Sequence, residues 1–242
     1  MIYITGDTHG SIDRFYGLNY TSEDKVIVCG DFGFIWEQEY RQSRYERELE
    51  KLDFLESQPY EILFVSGNHE NYDRLKQFPQ VKRYGGDVLQ IRKNIFLLKR
   101  GQVFTIENHT FFTMGGAYSV DKDARIEHLS WWSEELPSQK EYQRAIQTLN
   151  QHESIDFIIT HTAPQTIIRM MHFCPYKEDE ELTGFFDWIL YEKPFKYWFF
   201  GHFHTNDKIK DVNHVIPVYT HTYRINQDKS ITYLGGKDEE IL

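Results

Sequence analysis

The sequence predicts an α/β fold of a layered kind, and three observations carry that prediction. Short apolar runs of strand length end repeatedly in turns built from glycine or polar residues. Several of those runs are apolar almost throughout, as in sheets covered on both faces. Segments with helical periodicity lie between them. The 242 residues, 40% hydrophobic and 16% aromatic, suffice for one domain, 1–242, with a substantial core. No repeat, low-complexity tract or Pro/Gly/Ser-rich linker divides the chain.

The expected strands are "MIYITGDTHG", "DKVIVCGDFG", "YEILFVSGNHE", "TFFTMGGAYS", "IDFIITHTAP" and "KYWFFGHFH", each closed by its turn. Between them, Tyr45, Leu49, Leu52 and Leu55 follow helical spacing in the charged segment 37–57. Ser138 and Glu141 stand at capping-box spacing and open a helix over 138–151. In 182–193, Leu182, Phe185, Phe186, Ile189 and Leu190 form a wide apolar stripe, read as core packing. After His204 come short strands, "HVIPVYTHTYRI" and "SITYLGG". One stretch breaks the rhythm. Residues 163–182, with two prolines, two methionines and an acidic run, read either as a solvated surface loop or as a lid over a site at the strand ends.

A net charge of −10 does not favour nucleic acid or an anionic membrane, although a local positive site could override that average. Cys29 and Cys174 are too few and too far apart for a disulfide framework. No stretch approaches the roughly 18 apolar residues that span a bilayer. The first residues show neither a basic start nor a long apolar region, so a soluble cytoplasmic protein is expected.

Polar residues gather where the strands stop. Asp7 and His9 follow "IYITG", Asp31 follows "VIVCG", and Asn68 and His69 follow "LFVSG". His161 follows "FIIT", and His202 and His204 follow "WFFG". Ligand sites collect outside the carboxyl ends of parallel strands. Imidazole, carboxylate and amide oxygen together suit Mn, Fe, Zn or Co rather than Cu(I) or an iron–sulfur cluster. Seven such side chains are too many for one tetrahedral ion and divide into two sites of four if one carboxylate bridges. Two ions about 3.5–4 Å apart are a known device for displacement at phosphorus.

"GDTHG", "GDFG", "GNHE", "THTAP" and "GHFH", in that order over residues 5–204, resemble the five motifs of the calcineurin-like metallophosphoesterases. The resemblance implies a four-layer αββα sandwich of two mixed β-sheets flanked by helices, with a dinuclear metal site at the strand ends. It gives Asp7, His9, Asp31 and His204 to one ion. Asp31, Asn68, His161 and His202 go to the other, with Asp31 bridging. The ions would be two divalent metals, manganese first, with iron, zinc, cobalt or nickel as alternatives, and metal-activated water would be the nucleophile. His69 would be the acid or charge stabiliser near the leaving group.

One departure matters. In the protein serine/threonine phosphatases of this superfamily the second motif continues to an Asp and an Arg, whereas here Phe34 and Ile35 stand in those places. That argues against a protein phosphatase, and against the diadenosine polyphosphatases with a similar feature. Losing the carboxylate also removes an influence that would raise the His69 pKa. The far phosphate oxygens then need other donors. "GGAYSVDKDAR" offers Gly116, Lys122 and Arg125, read either as substrate contacts or as a turn with surface charges. Trp131 and Trp132 read as core anchors or as a stacking wall. His109, His128, His152, His172, His214 and His221 match no motif and are taken as non-ligands.

The expected function is hydrolysis of small phosphomonoesters or phosphodiesters, nucleotides included. A nuclease acting on polymeric nucleic acid and a non-catalytic scaffold are the alternatives. The absence of a basic tract weighs against the first, and the complete set of seven ligands plus His69 weighs against the second.

Overall fold

The computed structural model describes residues 1–236. In chain order its elements are β1 (Ile2–Thr5), β2 (Lys25–Val28), α1 (Gln42–Ser57), β3 (Glu61–Phe64) and α2 (Tyr72–Leu75). Then come β4 (Gln80–Arg83), β5 (Gly86–Arg92), β6 (Ile95–Leu98), β7 (Gln102–Ile106), β8 (His109–Met114) and α3 (Gln139–Asn150). The chain continues with β9 (Ile155–Thr160), α4 (Gln165–Met170), α5 (Glu180–Glu192), β10 (Phe195–Phe200), β11 (Val215–Pro217), β12 (His221–Ile225) and β13 (Ile231–Gly236).

Among the described residues the strands form two mixed sheets, ordered β13-β12-β1-β2-β3-β6-β5-β4 and β11-β10-β9-β8-β7. In the first, β1, β2, β3 and β6 run parallel; in the second, β8 to β11 do. Side chains alternate along each strand and so serve two cores at once. Ile4, Ile27 and Leu63 from the first sheet meet Phe111, Phe157 and Phe199 from the second in a central core. Val26, Val28, Ile62 and Phe64 point the other way, onto Leu52 and Leu55 of α1 and Tyr72 and Leu75 of α2. Ile158, Trp198 and Phe200 pack outward against Ala145 and Leu149 of α3, Ile167 and Ile168 of α4, and Phe186 and Ile189 of α5. Helices, sheet, sheet, helices: this is the four-layer αββα sandwich. The near-continuous apolarity of the strands follows from burial on both faces.

The helix expected over 37–57 begins at Gln42, and the capping box of Ser138 and Glu141 is formed at the start of α3. Residues 163–182 are more ordered than a loop: α4 occupies part of them, with Ile167 and Ile168 buried. Strands β4 to β7, a run of antiparallel pairs, were not expected from the sequence. Two of their tight turns are marked by consecutive positive φ values, at Tyr84–Gly85 and at Glu107–Asn108. Trp132 is a core anchor, 1% exposed, with its indole N–H donated to Asp73.

Candidate metal centre

Loops that follow β1, β2, β3, β9 and β10 meet at one end of the two sheets. Each leaves the carboxyl end of a strand that has a parallel neighbour, the position at which α/β sheets present ligand sites. The turns are tight. His9, Asp31, His202 and His204 all have positive φ, between 44° and 69°, a region that non-glycine residues rarely occupy and that concentrates at functional sites. Backbone bonds lash the loops together, with His9 N–H donating to the Asp31 carbonyl at 2.9 Å and Gly201 N–H to that of His161 at 2.9 Å.

Two motif glycines leave the space that their neighbours' carboxylates fill. A Cβ on Gly201 would lie 1.9 Å from Asp7 Oδ1, and one on Gly67 would lie 2.0 Å from Asp31 Oδ1. Neither position admits a side chain.

The floor of the site is buried and its rim is open. Asp7, Asp31 and His161 are buried, whereas the side chains of His9 and His204 are 32% and 50% exposed. His161 Nδ1 lies 2.9 Å from the Cys29 carbonyl, which accepts only a hydrogen, so Nδ1 carries the proton. That leaves Nε2 facing Asn68 Oδ1 at 3.0 Å and Asp31 Oδ1 at 3.3 Å, and a neutral His161 has a lone pair there. In that neutral form three ligand atoms converge on one point. At the rim, His9 Nε2 and His204 Nε2 stand 2.9 Å apart, with Asp7 Oδ2 3.4 Å from the latter. Such pairs are held either by a ring proton on one partner or by a cation shared between them.

The titration pattern has the same origin. Burial pushes the Asp7 carboxyl up to about 7, with Asp31 adding to the shift. Asp31 is also buried, but His161, together with His69 and His9, outweighs that cost and holds it well below the usual carboxylate range. His161 is raised to about 9: burial opposes the charged ring, and Asp31 and Asp7 overcome it. Burial lowers His9 to about 4 and His202 to about 3, which keeps both in the neutral form that binds metals.

Three groups bring ligand atoms within 4.8 Å of one another: Asp7 with His9 and His204, His9 with Asp31 and His69, and Asp7 with Asp31 and His161. The donor set therefore fits divalent ions, since it offers neutral imidazoles, carboxylates and an amide oxygen. Asn68 reaches the centre through its contact with His161. His202 stays outside the three groups. It is tied in by its backbone N–H, which donates to Asp7 Oδ2 at 2.9 Å, and its ring lies edge-on to His161.

Two residues behind this set escaped the sequence reading. Ser119 Oγ donates to Glu135 Oε2 at 2.6 Å and accepts from Asn68 Nδ2 at 3.2 Å. Glu135 Oε1 takes the Ser119 N–H as well. This chain fixes the direction of the Asn68 amide and turns its oxygen toward the metal centre. Glu70 does similar work, accepting the Phe32 N–H and so bracing the turn that carries Asp31.

His69 donates its backbone N–H to Asp31 Oδ1 at 2.7 Å. Its ring faces an arginine. Arg125 Nη2 lies 3.1 Å from His69 Nε2, and a guanidinium can only donate, so Nε2 accepts and the ring proton sits on Nδ1. Burial is the main cause of a lowered His69 pKa; Arg125 lowers it further and Asp31 opposes. Arg125 thus reaches the site, braced by Asp121. Lys122 instead lies over the Trp131 ring, 4.2 Å from its centre. The Gly116 amide donates to the Ser66 carbonyl at 2.7 Å, and a Cβ there would meet Glu135 O at 2.3 Å. Its glycine serves loop packing.

These features define a layered α/β protein with a candidate metal centre at the carboxyl ends of its strands. Residues 1–206 match the family described as calcineurin-like phosphoesterase, and the chain belongs to that family. No curated protein matches it. Among solved structures it is similar to the sulfate thiohydrolase SoxB of Termus thermophilus in complex with glycerol, at 12% identity and a TM-score of 0.45. That match covers 89% of this chain and 39% of the other, so this chain spans well under half of SoxB. It is also similar to the phosphopantetheinyl hydrolase PptH of Mycobacterium tuberculosis, at 13% identity and a TM-score of 0.45, covering 90% of this chain and 88% of that one. No helix among the described residues is long and apolar enough to cross a membrane.

Proposed function

We propose that this chain is a metal-dependent hydrolase of small phosphomonoesters or phosphodiesters, nucleotides included, acting as a single domain with a dinuclear centre. The observation that carries this reading is the convergence of ligand atoms at the strand ends, where Asp7, His9, Asp31, His69, His161 and His204 bring them within 4.8 Å of one another in three groups. Asp7, His9, Asp31 and His204 would hold one ion and Asp31, Asn68, His161 and His202 the other. Manganese is the first choice among metals that suit such donors. Two bound ions would supply neutralisation of the phosphate oxygens and a lowered pKa for water.

The protein's own groups do the rest. Asp31, buried and held ionised, keeps a negative charge between the two donor sets. The exposed edges of His9 and His204 leave the rim open to an incoming ester. Arg125 adds a fixed positive charge beside His69, where a phosphate oxygen or a departing alkoxide would lie. The completeness of the ligand set favours an enzyme over a scaffold.

The test combines metal analysis with a substrate panel. Wild type supplied with Mn²⁺ should retain two ions per chain and hydrolyse members of a panel of phosphomonoesters, cyclic nucleotides and dinucleotides. Asp31→Asn should weaken both sites, whereas His9→Ala should weaken mainly one. A single tightly bound ion that survives Asp31→Asn would sink the bridging role, and a metal-loaded protein inert toward the whole panel would sink the enzymatic one.

A further inference from the structure

A cavity of about 600 Å³ opens beside the rim of the metal centre, with His9 and His69 at one end and α1 along its side. Three cations on α1 line it: Arg44, Arg47 and Lys51. Their spacing of three and then four residues places them on one helical face. Among the described residues none of the three is ion-paired to a carboxylate. Lys51 Nζ donates instead to the Gly10 carbonyl at 2.7 Å, and Arg47 Nε to the Ser43 carbonyl at 3.2 Å. Glu48 also faces the cavity, but its charge is offset by Arg74, and its oxygens accept the N–H groups of Trp36 and Glu37. Three cations therefore face one remaining carboxylate, Glu37. In a chain of net charge −10 this local excess runs against the average.

The cations are ordered in space. Lys51, anchored one residue beyond His9, stands at the metal end. Arg44 lies seven residues back along α1, roughly 10 Å away at 1.5 Å per residue. Trp36 also lines the cleft, its ring 5.6 Å from that of His69. We infer that this cleft is a second anion subsite, and that the substrate is a small bisphosphate. One phosphate lies at the metal centre and the other on Arg44 and Arg47, with the connecting portion passing over Trp36. The inference rests on the phosphoesterase reading and narrows its substrate class. Arginine suits the distal end because its planar fork matches phosphate oxygens in pairs.

A spacing series tests it. Alkanediol bisphosphates of increasing chain length are compared with alkyl monophosphates of the same length, using the full-length Mn²⁺-loaded protein. Wild type should prefer bisphosphates in kcat/KM by about tenfold or more at an intermediate length, the size expected for hydrogen bonds to charged groups. In Arg44→Ala/Arg47→Ala that preference should fall toward one, mainly through KM. Both residues are exposed on the helix, so folding should survive, which a melting curve checks. Binding is read separately, by titrating an alkane bisphosphonate that cannot be hydrolysed and its monophosphonate partner. Tighter bisphosphonate binding, lost in the double variant, supports the subsite even if no ester is turned over, an outcome that would sink only the phosphoesterase reading. Equal kcat/KM and equal binding for the bis- and mono-compounds in wild type overturn the subsite. So does a preference that the double variant keeps.

Discussion

At the scale of single residues, the candidate metal ligands are legible because each stands beside a glycine or a strand end that the sequence displays. Asp7, Asp31, Asn68 and the rest follow apolar runs directly, and their chemistry is written in their side chains. Ser119 and Glu135 are not legible, because the contact that makes them useful joins positions 16 residues apart across a loop. The same holds for Arg125, whose charge meets His69 only through the fold. That pairing sharpens what His69 does. As an acid it should matter most for esters with poor leaving groups, so His69→Asn should lower kcat by about 10²-fold or more for these. For p-nitrophenyl esters, whose leaving group needs little protonation, the loss should be much smaller. Metal content, measured on the same samples, should be unchanged. Equal losses across the leaving-group series would mean that His69 acts with Arg125 as a charge or binding group, and lost metal would make it a ligand.

At the scale of elements, the strands that end in motif turns announced themselves, whereas β6, buried throughout, escaped notice beside its half-exposed neighbours β4 and β5. β1, β2, β3, β9 and β10 are short blocks of apolar residues, whereas β4 has no buried residue, β5 alternates half-buried residues with buried ones, and both carry charges. Segment 163–182 misled for a related reason: its prolines and acidic run mask the apolar pair Ile167 and Ile168 that pins α4 to the core. The acidic run holds a buried group of its own. Asp179, the N-cap of α5, is 4% exposed, and its Oδ1 has no hydrogen-bond partner. Burial raises its pKa to about 6, while the Tyr118 N–H opposes the shift. A carboxyl whose pKa is higher in the folded state favours folding below its unfolded pKa, near 4, and loses that contribution as pH rises through 6. Asparagine caps helices as well as aspartate. Asp179→Asn should therefore stabilise the fold at pH 7.5 by roughly 1–2 kcal/mol, within the scale of 1.36 kcal/mol per pKa unit. The gain should shrink toward zero at pH 4. Urea denaturation at the two pH values checks this, and a gain of equal size at both would remove burial of the charge as its cause.

At the scale of the whole molecule, charge and cavity size decide what can reach the candidate metal centre. A chain of net charge −10 repels a polyanion at long range, and three cations line the cleft beside the candidate metal centre. Binding long nucleic acid takes many neutralised phosphates, and a protein with 6–10 such contacts loses about 10³–10⁵ in affinity between 50 and 200 mM salt. A cleft of about 600 Å³ lies instead within the range that encloses small ligands. Three cations make a few contacts at most, so the salt dependence should be shallow. Turnover of small phosphoesters should fall by less than about tenfold over the same salt range, the loss expected when one phosphate rather than a tract is bound. Long single- and double-stranded DNA, supplied at equal phosphate concentration, should be cleaved far more slowly than the small esters at every salt concentration. Efficient cutting of long DNA with small esters untouched, or a salt dependence as steep as that of a multi-phosphate binder, would assign the centre to a polymer that tracks a basic surface beyond this cleft.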